Sequence, residues 1–115
     1  MRFFMYTLGD ESIPQEPPSP ELMEEMGRFV EEATKAGALV ATGGFAPSAF
    51  GGTIVTKAGD DYRVVDGPFT EAKELVGGWA LIDARDKDEA VEWAKRFLAI
   101  AGDGESRIRQ VFGPE

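Results

Sequence analysis

The residues best suited to chemistry lie in and just after an Asp-Gly-Pro-Phe turn, at Asp66, Glu71 and Lys73. Carboxylate and ammonium groups in one short stretch supply an acid or base and a partner for an anion. Pro68 fixes its own φ and has no N–H, and an aspartate before such a turn accepts bonds from the following backbone. The turn therefore predicts defined directions for the side chains that follow it.

Two interpretations of this stretch remain open. In the first, the turn borders a small-molecule pocket, either in a cleft between helices and sheet or at a dimer seam. Asp66 would be the catalytic acid or base, Lys73 the anion partner or electrophile, and aromatic side chains the apolar walls. The predicted substrate-binding residues are Tyr6, Phe69, Glu71, Lys73 and Trp79. In the second, Asp66 only holds the turn, the other charges face solvent, and Trp79 belongs to the core.

The composition excludes several kinds of chemistry. The 115 residues include no histidine and no cysteine. A chain without these side chains has no thiolate nucleophile, no disulfide, no imidazole base and no histidine-bound metal. Acid–base chemistry would fall to Asp, Glu, Lys, Arg or Tyr, with a pKa shifted by burial or a neighbouring charge. We predict no metal and no cofactor.

The charge of the chain also limits its partners. The formal net charge is −9, and nucleic acids and anionic membranes require basic surfaces. We therefore predict neither as a partner. The apolar start of the chain is interrupted by Gly9-Asp10-Glu11, far short of a signal peptide or a membrane span. These features predict a cytoplasmic protein.

Two strands are predicted to be central in a sheet. The runs Arg2–Leu8 and Trp79–Ala84 are apolar at both sets of alternating positions, which is typical of strands covered on two faces. Arg107–Phe112 carries two outward arginines and suits an edge position. The other predicted strands are Ala38–Thr42, Thr53–Lys57 and Asp61–Val65, the last two joined by a hairpin turn.

Two amphipathic helices are predicted between the strands. Ser19-Pro20 has the residue types of an N-cap and first helical position, and Gly37 ends the apolar stripe that follows. Asp86 and Glu89 have the spacing of a capping box at the start of the second helix, which Gly102 ends. The order of these elements predicts an α+β fold.

The fold expected from this order is a ferredoxin-like sandwich in a single domain of residues 1–115, with both helices on one face of an antiparallel sheet. Two helices cover one face only, whereas the central strands are apolar on both. A second copy of the chain, packed sheet to sheet across a two-fold axis, is the simplest cover for the remaining face. We therefore predict a homodimer.

Several short motifs of the sequence resemble the YCII-related family of DGPF-type proteins. These motifs are Gly9-Asp10-Glu11, Asp66-Gly67-Pro68-Phe69 with the charged residues after it, and the pair Gly77-Gly78. The similarity spans nearly the whole chain. It implies a small cytoplasmic dimer with a dimeric α/β-barrel fold.

The resemblance also bears on function. Some relatives are linked to sigma-factor regulation, which makes a non-catalytic regulatory or interaction dimer, with an unidentified protein partner, the alternative to a ligand-binding or catalytic protein. Part of the wider family carries a His–Asp pair proposed as catalytic. This chain has no histidine, so that pair is not carried over to it.

Overall fold

A computed structural model describes residues 1–9, 18–45, 52–67 and 75–113 of the chain. The elements in order are β1 (Arg2–Gly9), α1 (Pro20–Lys35), β2 (Leu39–Gly44), β3 (Thr53–Ala58), β4 (Asp61–Asp66), β5 (Leu75–Asp83), α2 (Lys87–Ala101) and β6 (Ser106–Gln110). Neither α1 nor α2 has the length and apolar character needed to cross a membrane.

Four of the strands form one sheet in the order β2-β5-β1-β6, and every neighbouring pair is antiparallel. The strands β1 and β5 are central and β6 lies at an edge, as their sequences predict. With two helices, this order confirms the ferredoxin-like α+β fold. In the described part of the chain the sheet is open and does not close into a barrel.

The hydrophobic core lies between the helices and one face of the sheet. Phe3, Met5 and Ile82 of the central strands are buried with Ala90 and Ala94 of α2. Phe3 and Ile82 are register partners, so their side chains share the helix-facing side of the sheet. The shortest dimension of the molecule is 19 Å, which fits one layer of helices on one sheet.

The helix boundaries follow from capping residues. Ser19 Oγ accepts a hydrogen bond from the backbone N–H of Leu22, and Pro20 occupies the first helical position of α1. Asp86 Oδ1 accepts from the backbone N–H of Glu89 at 2.9 Å and caps α2. The carboxylate of Glu89 reaches back to the N–H of Arg85 rather than to that of Asp86, so only half of the expected capping box forms.

The cap of α2 predicts a pH dependence of stability. The hydrogen bond from Glu89 N–H lowers the pKa of Asp86, so the carboxylate stabilises the folded state above its unfolded pKa of about 3.9. This stabilisation is lost as the pH falls through the folded pKa. Asp86→Ala is expected to lower the melting temperature at pH 7, with a difference from wild type that shrinks below about pH 4. Thermal melts from pH 7 to pH 2.5 measure it, with Asp86→Asn as the uncharged control that keeps an acceptor.

Two glycine pairs expected to flank strands lie inside them. β2 extends through Gly43-Gly44, and β5 begins at Leu75 and includes Gly77-Gly78, so the predicted strands Ala38–Thr42 and Trp79–Ala84 were wrong at these ends. At Gly43 the reason is close packing. A Cβ on Gly43 would lie 2.9 Å from Cζ2 of Trp79, whose ring therefore covers a position open only to glycine.

The strands β3 and β4 form a separate two-stranded hairpin. Gly59 at its turn has φ of 62°, a conformation that favours glycine. All residues of both strands are exposed, and Val55, Val64 and Tyr62 on one face are more than three-fifths exposed. An isolated hairpin of this size is marginally stable in water, and the part of the chain that the structure describes does not provide the packing that such ribbons normally need.

Candidate functional site

A cavity of about 230 Å³ lies between the two helices and the helix-facing side of the sheet. The strands provide Met5 and Ile82, while the helices provide Phe29, Trp93 and Phe97. The space arises because alanines stand where larger residues would fill it, at Ala33, Ala38 and Ala80. Among the described residues, no charged side chain lines the cavity.

A cation and two aromatic rings hold the helices together above the cavity. The rings of Phe29 on α1 and Trp93 on α2 lie 6.0 Å apart. The guanidinium carbon of Arg96 lies 4.6 Å from the centroid of Trp93 and 5.4 Å from that of Phe29. Glu32 on α1 forms an ion pair with Arg96 at 2.7 Å. These contacts join α1 to α2 and position the two rings that line the cavity.

Three aliphatic hydroxyl groups line the described part of the cavity. Thr7 is the residue at which the pairing of β1 with β5 shifts register, and its Oγ1 accepts a hydrogen bond from Gly78 N–H at 2.9 Å. Thr42 Oγ1 donates to the carbonyl oxygen of Trp79 at 2.9 Å. Ser106, the register partner of Thr7 on β6, lies beside it. The described wall is therefore apolar except for these hydroxyl groups, of which those of Thr7 and Ser106 belong to register partners on neighbouring strands.

A row of aromatic rings crosses the face of the sheet that points away from the helices. The rings of Phe4 and Trp79 are stacked, with centroids 5.9 Å apart and an interplanar angle of 17°. Tyr6 lies 5.9 Å from Phe4, and Phe45 lies 6.5 Å from Trp79. Phe45 is 53% exposed although it carries a large apolar ring. This aromatic row is thus a half-covered apolar surface.

Comparison with known proteins places the chain in a family. Residues 1–112 match the family model of the YCII-related domain. The chain belongs to the YCII-related family. It is also similar to the uncharacterized protein R00369 of Rhizobium meliloti (strain 1021), with 32% identity over 74 residues. That match covers 64% of this chain and 59% of the relative, so it spans less than two thirds of the relative's length.

The YCII-related chain brings together two of the sequence-predicted site residues. Tyr6 and Trp79 are register partners on the central strands, and both contribute atoms to the lining of the cavity. Their rings belong to the aromatic row. Their role in binding stays a prediction, because no bound molecule is needed to explain this packing.

Asp66 makes its side-chain hydrogen bond within the β3–β4 hairpin, not with Tyr6 or Trp79. It ends β4, is exposed, and its Oδ1 accepts a hydrogen bond from the hydroxyl of Thr53 at 2.9 Å. The neighbouring Gly67 N–H donates to the carbonyl of Gly52 at 2.7 Å, so it does not serve an Asx turn. Asp66 is not among the residues that line the cavity. Its assignment as a catalytic acid or base stays a prediction.

The other predicted site residues of this YCII-related protein lie outside the described residues. They are Phe69, Glu71 and Lys73. Among the described residues, no group of three acidic side chains is placed to hold a metal ion.

The carboxyl groups with altered pKa values lie away from the cavity. The hydrogen bond from Arg2 lowers the pKa of Asp83, and the N–H of Glu89 lowers that of Asp86. Arg2 pairs with Asp83 at the end of the sheet opposite Thr7 and Gly78. Neither carboxyl group lines the cavity. The described part of the cavity wall therefore provides hydroxyl groups but no carboxylate for acid–base chemistry.

Sequence reasoning missed most of the cavity wall of the YCII-related chain. From the sequence, neither Phe29 of α1 nor Trp93 of α2 was predicted to bind a ligand. The available signal was the combination of bulky rings on both helices with alanines on the facing strands, at Ala38 and Ala80. Such a combination leaves unfilled space, but only the three-dimensional packing shows where.

Proposed function

We propose that this chain binds a small, uncharged and mainly apolar organic molecule in the cavity between its helices and its sheet. The observation that carries the proposal is the cavity itself, about 230 Å³ in volume and lined by Met5, Phe29, Ile82 and Trp93. An apolar cavity of about 150 Å³ in another protein stays dry and binds benzene. The larger volume here suits a compound of one or two fused rings.

The residues that line the cavity indicate that its ligand carries no charge. A carboxylate or ammonium group moved from water into an apolar site costs several kcal/mol unless a partner of opposite charge compensates it. The described part of the wall offers no such partner. A neutral ligand is therefore favoured over an anion or a cation.

Naphthalene tests this proposal. We expect it to raise the melting temperature of the protein, because a ligand that binds only the folded state stabilises that state by mass action. The charged analogue 2-naphthoate, at equal concentration, is expected to have little effect. A protein whose melting temperature does not respond to naphthalene would contradict the proposal.

A variant that fills the cavity provides the control. Ala80→Leu adds bulk from the sheet and is expected to abolish the naphthalene response while keeping or raising stability. Ala99→Leu makes the same chemical change on the exposed surface of α2 and is expected to leave the response intact. If Ala80→Leu fails to fold, Val30→Phe fills the cavity from α1 instead. If naphthalene still raises the melting temperature of a variant whose cavity is filled from the sheet or from α1, the proposed site is wrong.

We also propose that two copies of the chain associate through the open face of the sheet. Two observations support this. The aromatic row is half-covered and includes Phe45, which is 53% exposed, and contiguous apolar surface marks interaction sites. The hairpin β3–β4 presents further exposed apolar side chains, at Ile54, Val55, Tyr62, Val64 and Val65. The second candidate function is that such a dimer acts as a regulatory or interaction module. A protein that dimerises but binds no apolar ligand would favour this second function over ligand binding.

A further inference from the structure

The three aliphatic hydroxyl groups that line the described part of the cavity differ in their free hydrogen-bonding capacity. Thr42 gives its proton to the carbonyl oxygen of Trp79 at 2.9 Å. Thr7 Oγ1 accepts from Gly78 N–H at 2.9 Å, and its own proton has only a long contact of 3.4 Å with the carbonyl oxygen of the same glycine. Both threonines are thus largely committed to the backbone of β5.

The hydroxyl group of Ser106 keeps its full hydrogen-bonding capacity. Within the described part of the chain its hydroxyl makes no hydrogen bond, although the residue is half-buried and lines the cavity. It is the register partner of Thr7, two residues from Ile108, whose side chain packs against the core. Because alternate residues of a strand share a face, the Ser106 side chain points toward the helices. An uncommitted donor and acceptor therefore lines a largely apolar space.

We infer that the ligand of this cavity is a neutral ring compound with a single hydroxyl or N–H group, which hydrogen-bonds to Ser106. The inference rests on the proposed ligand-binding function and adds the class of molecule and its orientation. The ring body lies against Met5, Phe29 and Trp93, and the polar group lies beside Thr7 and Ser106. Hydroxylated or N–H-containing bicyclic compounds meet both requirements.

Paired ligands test the inference. 2-Naphthol and naphthalene share a ring system and differ by one hydroxyl group. The ratio of their dissociation constants therefore measures the contribution of that hydroxyl group to binding. A net hydrogen bond corresponds to a preference of about 3- to 10-fold for 2-naphthol. Ser106→Ala is expected to remove this preference and to leave naphthalene affinity unchanged, as isothermal titration calorimetry would show. Thr56→Val, which removes a hydroxyl from the exposed hairpin, is the control expected to change neither affinity.

The outcomes separate this inference from the function on which it rests. Naphthalene binding with equal affinity for 2-naphthol, or a preference that survives Ser106→Ala, overturns the role of Ser106 and leaves the proposed function standing. Failure of both compounds to bind overturns the proposed function and the inference together. Because naphthalene binding by Ser106→Ala also reports an intact cavity, a folding defect in the variant would be detected.

Discussion

Replacing Trp79 with alanine is expected to lower the free energy of unfolding by about 3 kcal/mol, the range for losing a large aromatic side chain. The ring stacks on Phe4, contacts Phe45 and covers Gly43 on the neighbouring strand. Without it, a gap opens in the middle of the aromatic row. Urea denaturation at a fixed protein concentration measures the loss, and Trp79→Phe, which keeps a ring, is expected to recover part of it.

The same variant also tests the proposed dimer. If two copies associate through the aromatic row, Trp79→Ala is expected to raise the dimer dissociation constant by at least about tenfold, since central aromatic residues dominate such interfaces. Sedimentation equilibrium of wild type and variant gives both constants. A wild-type chain that is monomeric at tens of micromolar, or a dimer unaffected by the loss of Trp79, would rule out association through this face.

A second prediction compares one chemical change at two positions. Gly43→Ala is expected to destabilise the protein by about 1–3 kcal/mol, the cost of overpacking, because its Cβ would lie 2.9 Å from the Trp79 ring. Gly27→Ala is expected to stabilise it by about 0.5–1 kcal/mol, since nothing lies within 4 Å of that Cβ and alanine suits the interior of α1 better.

The opposite signs make this pair informative. Both variants lose the freedom of glycine in the unfolded chain, so that contribution is shared. The difference between them therefore measures the contact of Gly43 with Trp79 and the helical preference at Gly27. Thermal and urea unfolding of the two variants supply the values. A stabilised Gly43→Ala protein would mean that the ring of Trp79 moves aside at little cost.

The order and type of the elements could be predicted from sequence because short-range physics decides them. The capping residues Ser19 and Asp86 start helices wherever an apolar stripe follows, and a strand with two apolar faces such as β1 belongs in the middle of a sheet. The extension of β2 and β5 through their glycine pairs was not predictable in this way. It depends on which residue of a neighbouring strand lies opposite, and Trp79 meets Gly43 only after folding.

The candidate site was harder to predict than the fold. The site predicted from sequence centred on residues with reactive groups, Asp66, Glu71 and Lys73. The described cavity is instead lined by apolar rings and hydroxyl groups. A cavity is a volume left unfilled between layers, and no local pattern encodes it. Ser106 illustrates the difficulty, because a serine at the start of an edge strand has no distinctive sequence context.

The pairing of the sheet has a consequence for how fast the protein folds. Every ladder of the four-stranded sheet joins distant segments: Gly44 pairs with Gly78, Arg2 with Asp83 and Phe3 with Gln110. Closing such long loops before any contact forms is slow, and chains dominated by non-local pairs fold in milliseconds to seconds. The hairpin β3–β4, joined by its own turn, can form in about 1–10 μs. This exposed hairpin can thus form before the four-stranded sheet, and its apolar side chains are available to other molecules while the sheet is still assembling.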